Sequence, residues 1–572
     1  MHHALLIPDI LDRIFAFANV DNERTRTFSA LARTCSALSE VSLDALWSEL
    51  ESLYPLVSCI YKTNMKLFNE HTTGADDDAE LDMSVFHKYA YRVRKLFLFG
   101  LHDAAVVEDL GMFQALQVPS PLLPNLTDLV WNDELGLSLV WPLLNPRLRS
   151  LQIPISHWIT GSTPLLLSKI RGLCPELRSL TLRISFGLVQ GGPGEQALAG
   201  NCLSRVICSW KKLEELDYSP LGCEGITSLC ALSSLKVLRL HIDDSFLGLP
   251  ANSLSFPSLR SVHVKAQNLG SIFPLLQAMK TFPKSIRIDL PIGLFGNVNY
   301  GLETVELILS LISQHEIERF SMSFPGNPNP VNVSEMLRPL FRCCNLRALQ
   351  VAVMSQFTLL DDDLCTIASA WPQLEELELF DLPPPCRVPF PSQLADGQDF
   401  PPVPEFELLP VPQPLPVPQF PPVPQPLPVP QPVHPYSLIS AEVSYPELIY
   451  SWFPHARRTA EITFHGFITL LRLCPNLRFF NLAIDATKLD GLQGDKPGGG
   501  VCNRLIKHVN FIDSPIGDPE AVACILLDIL PELKTVLGSH TPPYTQLLPA
   551  GWIQVQQRIL AARETTGAEL AT

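Results

Sequence analysis

The chain has 572 residues, of which 42 are basic and 58 acidic, giving a formal charge of −16. Such an excess of carboxylates repels nucleic-acid phosphates and anionic lipid, which excludes both as general partners. The length is more than one globular core supports, but a repeat array that grows by addition escapes that limit.

Residues 1–50 read as a small helical module. Pro8 suits a first helical position, and Ile10, Leu11, Ile14, Phe15 and Phe17 then cover two adjoining helix faces. A second helical run holds Phe28, Leu31, Ala32, Cys35 and Leu38, and a third holds Leu43, Leu46, Trp47 and Leu50 at i, i+3, i+4, i+7 spacing. Helices this short cannot bury so much apolar surface among themselves, so the surplus predicts a docking partner. Asp9, Asp12 and Arg13 interrupt the segment too early for a signal peptide, and no apolar run of about 18 residues follows. A reducing compartment, cytosol or nucleus, is expected.

The stretch Ile7-Pro8-Asp9-Ile10-Leu11 with Ile14-Phe15, then Leu31-Ala32-Arg33-Thr34-Cys35, then Leu46-Trp47, resembles an F-box. Together with the phrase Cys-Pro-x-Leu-Arg at Cys174 and Cys474, it is similar to the large F-box and repeat families of mushroom-forming fungi. The resemblance implies docking to a Skp-type adaptor, and through it to a cullin-RING ubiquitin ligase. The residues implied to touch the adaptor are Ile7, Pro8, Ile10, Leu11, Ile14, Phe15, Leu31, Leu46 and Trp47.

Residues 51–90 read as a helical linker with an acidic surface loop from Asp76-Asp77-Asp78 to Asp82, a charge run that ordinarily faces solvent.

From residue 91 the phrase Leu-x-x-Leu-x-Leu recurs: Leu148/Leu151/Ile153, Leu177/Leu180/Leu182, Leu235/Leu238/Leu240 and Leu374/Leu377/Leu379. Looser copies stand at Val93/Leu96/Leu98, Leu126/Leu129/Trp131, Leu213/Leu216/Tyr218, Leu259/Val262/Val264, Ile317/Phe320/Met322, Leu346/Leu349/Val351, Leu477/Phe480/Leu482 and Ile506/Val509/Phe511. Their first positions lie 22 to 36 residues apart except for gaps of 58 and 103. The first gap accommodates a weak repeat at Ile286/Ile288. Such a period marks an α/β leucine-rich-repeat solenoid, or horseshoe. Three buried apolar side chains per repeat contribute on the order of 5–9 kcal/mol, whereas ordering some twenty-five residues costs on the order of 25–50 kcal/mol. A repeat therefore folds only by stacking on its neighbours. Cys174, Cys343 and Cys474 each precede a first leucine by three residues, where buried reduced thiols are expected. Asp361-Asp362-Asp363 is expected to start a helix, where negative charge is favoured.

The solenoid is expected over 91–382 and again over 436–540, followed by a tail at 541–572. Between them, residues 383–435 hold 21 prolines and duplicate Pro-Val-Pro-Gln-Pro-Leu-Pro-Val-Pro-Gln at 410–419 and 422–431. This predicts a polyproline II insertion that loops out of one solenoid turn, serving as a spacer or as a ligand for an SH3 or WW domain.

The sequence holds no phosphate loop, no Gly-x-Ser-x-Gly elbow, no His-Glu-x-x-His and no Cys-x-x-Cys pair, so neither catalysis nor a metal or other cofactor is expected. Outward strand positions carry more information. If the repeats stack in register, Arg239, His241, His263, Lys265 and Arg287 form one basic patch, suited to an acidic or phosphorylated protein target of unknown identity.

Overall fold

The structure, a computed structural model, describes residues 24–63, 82–98, 120–132, 140–154, 163–183, 201–219, 223–242, 249–266, 268–290, 302–324, 331–353, 357–381, 461–492, 494, 496–511, 514–536 and 550–571, all in one compact unit. The strands are β1 (Glu49–Leu50), β2 (Lys95–Leu98), β3 (Asp128–Trp131), β4 (Ser150–Pro154), β5 (Ser179–Arg183), β6 (Glu215–Tyr218), β7 (Val237–Ile242), β8 (Ser261–Ala266), β9 (Ser285–Asp289), β10 (Arg319–Phe324), β11 (Val331–Asn332), β12 (Ala348–Val353), β13 (Phe357–Thr358), β14 (Glu376–Asp381), β15 (Phe479–Asn481) and β16 (His508–Asn510). Fourteen of them make one parallel sheet in chain order, while β11 and β13 pair with each other. This is a solenoid of leucine-rich repeats, one sheet strand per turn.

The repeat phrase explains the strand positions. Its first leucine sits two residues before the strand, and the next two take alternate strand positions on the inward face. Neighbouring turns align these residues in rows. One row runs Leu96, Leu129, Leu151, Leu180, Leu216, Leu238, Val262, Ile286, Phe320, Leu349, Leu377, Phe480 and Val509. All of them are 2% exposed or less, and each such side chain contributes about 1.5–3 kcal/mol by burial. Helices pack behind the sheet with apolar residues at helical spacing, as Val305, Ile308, Leu309 and Ile312 do on the helix Leu302–Ile312.

The position three residues before each first leucine has its own chemistry. Cys174, Cys343 and Cys474 are buried free thiols there, and burial pushes their pKa values up to about 11, about 11 and about 12. The same place holds Asn145, Trp210, Trp371 and Asn503, which share a donor. Asn145 Nδ2 donates to the Leu126 carbonyl (3.1 Å), Trp210 Nε1 to Cys174 (2.9 Å), Trp371 Nε1 to Leu340 (3.3 Å), Cys474 Sγ to Trp371 (3.4 Å) and Asn503 Nδ2 to Leu477 (2.9 Å). Each donor reaches a backbone carbonyl of the preceding turn, although the Leu340 and Trp371 carbonyls also accept backbone amides, from Cys343 (2.8 Å) and Leu374 (3.1 Å).

Several expectations are corrected. The second and third helical runs are divided differently: the helices are Arg24–Ala32 and Ser36–Trp47, with extended Cys35 between them and Leu38 in the later one. Leu50 is not helical but lies on β1, paired with Leu96, so the sheet begins within the segment assigned to the helical module. The segment 51–90 is more than a linker: among its described residues Leu53, Leu56, Val57, Ile60, Phe86 and Ala90 are buried in the main core. The tail at 541–572 contains the helix Ala550–Ala571, whose Trp552, Val555 and Ile559 are buried in the same core. Trp552 Nε1 donates to the Ser514 carbonyl at 2.8 Å.

The weak repeat at Ile286/Ile288 is β9, with both isoleucines buried. Asp361 to Asp363 do open a helix, Asp361–Ala370. The proline tract 383–435, the acidic residues 76–78 and the first helical segment with Ile7, Pro8, Ile10, Leu11, Ile14 and Phe15 lie outside the described residues. On either side of the tract, β14 and β15 are hydrogen-bonded neighbours, with Leu377 opposite Phe480.

Candidate interaction face

Residues between the buried rows point to the other face of the sheet, where they too fall into register. The central row runs Phe97, Val130, Gln152, Thr181, Asp217, Arg239, His263, Arg287, Ser321, Gln350, Glu378, Asn481 and Asn510. It begins uncharged, becomes densely charged from Asp217 to Arg287, and ends in amides around one carboxylate.

The five residues expected to cluster do so. His263 stands between Arg239 and Arg287, and Lys265 stands beside His241. They do not, however, make a basic patch. Arg239 lies 3.6 Å from Glu215, and His241 Nε2 lies 3.2 Å from Asp217. Asp289, opposite Lys265, receives His263 Nε2 at 2.7 Å, Arg287 Nε at 3.0 Å and the Ser323 hydroxyl at 3.3 Å. Three cations and three carboxylates therefore compensate one another, with two histidines among them. Glu215 and Asp217 flank the buried Leu216, so the alternation that turns Arg239 outward turns these two acids outward as well. Asp289 is harder to place from the sequence, because it ends β9, the weakest repeat, two residues beyond Arg287.

Burial makes this mosaic electrostatically stiff. It drives the His263 pKa below the usual histidine value despite the adjoining Asp289 carboxylate, so a neutral imidazole donates to Asp289. Burial alone would raise Asp289, but the His263 hydrogen bond and the Arg287 charge outweigh it and hold the carboxyl below its ordinary range. Asp217 is held down in the same way by His241, Arg239 and Lys265.

Further along, Ser321 donates to Gln350 Oε1 (2.9 Å) and Gln350 Nε2 donates to Glu378 Oε2 (3.3 Å). Glu376 is engaged by Arg319 at 3.2 Å. Burial raises the Glu378 pKa and nearby Glu376 adds to the effect, although hydrogen bonds from Asn481 and Gln350 oppose it. This carboxyl takes up a proton more readily than an ordinary glutamate. The face offers fixed donors and acceptors over many strands, which suits recognition of an extended protein surface. Among the described residues no group of three or more His, Cys, Asp or Glu side chains could hold a metal ion, and no helix is long and apolar enough to cross a membrane.

At the N-terminal end, Leu31 and Leu46 pack, partly buried, around the buried Phe28 in a small cluster separate from the main core, together with Leu38, Val41 and Ala45. Trp47 instead stacks on Tyr89 (centroids 4.3 Å apart) and packs on the main core. Arg92 pairs with Glu40 and Asp44 of the helix Ser36–Trp47. Of the adaptor residues suggested by resemblance, Leu31 and Leu46 thus belong to the satellite cluster and Trp47 joins it to the first turn.

No family model matches the chain, and no curated protein does. Among solved structures it is similar to the leucine-rich repeat-containing protein LegL7 from Legionella pneumophila, at 16% identity over 48% of this chain and 87% of that one, with a TM-score of 0.29. It is also similar to TLR13 in a complex with ssRNA13, at 17% identity over 52% and 44% of the two chains, with a TM-score of 0.27. An internalin (inlF) from Listeria monocytogenes gives 16% identity over 49% and 86%, with a TM-score of 0.22.

Proposed function

We propose that this chain is a non-catalytic substrate-recognition subunit of a Skp-cullin-F-box-type ubiquitin ligase, holding a target protein on the open face of its repeat sheet. The observation that carries the binding role is the in-register outward row from Phe97 to Asn510, with its charge-paired centre at Arg239, His241, His263, Lys265 and Arg287. Its contribution would be to keep the target at high effective concentration near the ligase. The adaptor role rests on the F-box-like residues at 7–15 and on the shallow cluster around Phe28, where Leu31 and Leu46 remain only partly covered.

A second reading has an observation of its own. The Trp47–Tyr89 stack and the pairing of Arg92 with Glu40 and Asp44 fasten the helical pair to the first turn, as a capping unit of an adaptor-independent scaffold would be. Pull-down with a Skp-type adaptor separates the two readings. Replacing Pro8 and Leu11 by Ala, or Ile14 by Asp, abolishes adaptor capture in the ligase reading while circular dichroism of the repeats stays unchanged. Absence of capture by the intact chain favours the scaffold.

A further inference from the structure

The residue immediately before each strand, from β2 onward, forms a row along one edge of the sheet. It reads Arg94, Thr127, Arg149, Arg178, Glu214, Lys236, Arg260, Lys284, Glu318, Arg347, Glu375, Arg478, Lys507 and, before the bridge residue Thr535, Lys534. Ten of the fourteen are Lys or Arg and three are Glu, in a chain whose formal charge is −16. The backbone fixes the row, because the carbonyl of one member typically accepts amides from the next turn. Arg149 O, for example, accepts from Arg178 N at 2.7 Å and Ser179 N at 2.9 Å, and Glu375 O accepts from Arg478 N at 2.7 Å.

The acids in the row are shielded by their neighbours. Glu375 is 21% exposed, between Arg347 at 55% and Arg478 at 63%. Glu214 is shared by Arg178 (3.6 Å) and Lys236 (2.6 Å), and Glu318 is met by Lys284 (2.5 Å). The outermost layer is therefore cationic even where a glutamate occurs. Arg94, Arg149, Arg260, Lys507 and Lys534 are exposed and have no ion-pair partner among the described residues.

We propose that this edge is a second interaction surface, separate from the open face, which binds an extended acidic polypeptide segment rich in Asp and Glu. Strands about 4.8 Å apart make the row roughly 60 Å long, enough for about 18 residues of extended chain. A compact ligand would meet only a part of it. A peptide suits the three glutamates, because it can present neutral residues or backbone amides there, whereas a nucleic acid carries an obligatory phosphate at every step. The row also lacks the aromatic side chains on which single-stranded bases stack. The inference depends on neither the adaptor role nor the open-face role.

Fluorescence anisotropy with the full chain and a labelled poly-glutamate peptide of about 18 residues tests it. Binding that weakens steeply with added salt is expected. The variant Arg149→Glu/Arg260→Glu/Lys507→Glu should bind about tenfold more weakly, since each exposed ion pair is worth a few-fold. The open-face variant Arg239→Glu/Lys265→Glu should weaken binding clearly less than the edge variant. The neutral set Arg149→Gln/Arg260→Gln/Lys507→Gln gives the same ranking if the reversed variant does not fold. Three results overturn the proposal: no measurable binding by wild type, equal loss in the edge and open-face variants, or tighter binding of an oligouridylate that the edge variant also loses.

Discussion

Asp361 and Thr463, 102 positions apart in the sequence, are joined by two hydrogen bonds: Asp361 Oδ1 accepts from the Thr463 amide at 2.8 Å and Oδ2 from its hydroxyl at 2.6 Å. The pair joins the starts of two adjacent helices, Asp361–Ala370 and Phe464–Leu473, from opposite sides of the proline tract. Gly466 allows the approach, since a Cβ there would collide with the Asp361 carboxylate. Asp361→Ala should cost about 1.5–3 kcal/mol, the range for hydrogen bonds to a charged group, and Gly466→Ala about 1–3 kcal/mol by overpacking. Thermal melts of the two single variants and of the double variant check this. Because both act on one contact, the double variant should lose less than the sum.

Replacing residues 383–435 by a short Gly/Ser linker should leave the melting temperature nearly unchanged. The turns on either side are already joined by β14–β15 pairing and by Asp361–Thr463, and closure entropy varies only weakly with loop length. A drop of several degrees in calorimetry would mean that the tract packs on the solenoid.

Acid should weaken the centre of the open face in two stages. His263 has a folded pKa below its unfolded value of 6.5, so its contribution is complete above that pH and is lost progressively as the pH falls below it. Asp289 has a folded pKa below its unfolded 3.8; its contribution is present above 3.8 and is lost as the pH falls through the lower folded value. Stability measured by urea unfolding between neutral pH and pH about 5 should therefore fall less steeply for His263→Gln than for wild type. An unchanged slope would show that His263 is not the titrating group.

Arg239→Glu/Lys265→Glu should fold, with stability within about 1 kcal/mol of wild type, because both side chains are at the surface. It brings like charges towards Glu215 and Asp217, so the centre of the face turns acidic and capture of an acidic target should fall in a salt-sensitive way. Proximity labelling that recovers the same proteins with both chains would assign recognition to another part of the molecule.

Much of the solenoid could be read from leucine spacing because one buried row is built from large apolar residues, mostly leucine, at one place in each turn. The turn at β9 was faint, since Pro283 stands where a first leucine would, yet Ile286 and Ile288 kept the alternation. At Leu50 the reading failed for a geometric reason. A residue three after Trp47 continues a helical stripe as well as it ends a strand of only two residues. The terminal helix at Ala550–Ala571 was missed because its apolar residues Trp552, Val555 and Ile559 belong to no repeat phrase. Strand register correctly gathered Arg239, His241, His263, Lys265 and Arg287. It could not balance their charge, which depends on carboxylates from flanking strands and on Asp289.

The helix Ala550–Ala571 brings Gln556 against the residues that follow β16. Its Oε1 accepts from the Val536 amide at 2.7 Å and its Nε2 donates to the Lys534 carbonyl at 3.1 Å. One side-chain amide thus imitates a missing neighbour, occupying the backbone groups that an incoming strand would seek. A parallel sheet of this length, left open there, would be a template for adding strands from other molecules. With Gln556 in place, the Val536 amide and the Lys534 carbonyl are no longer open to an added strand at this end of the sheet.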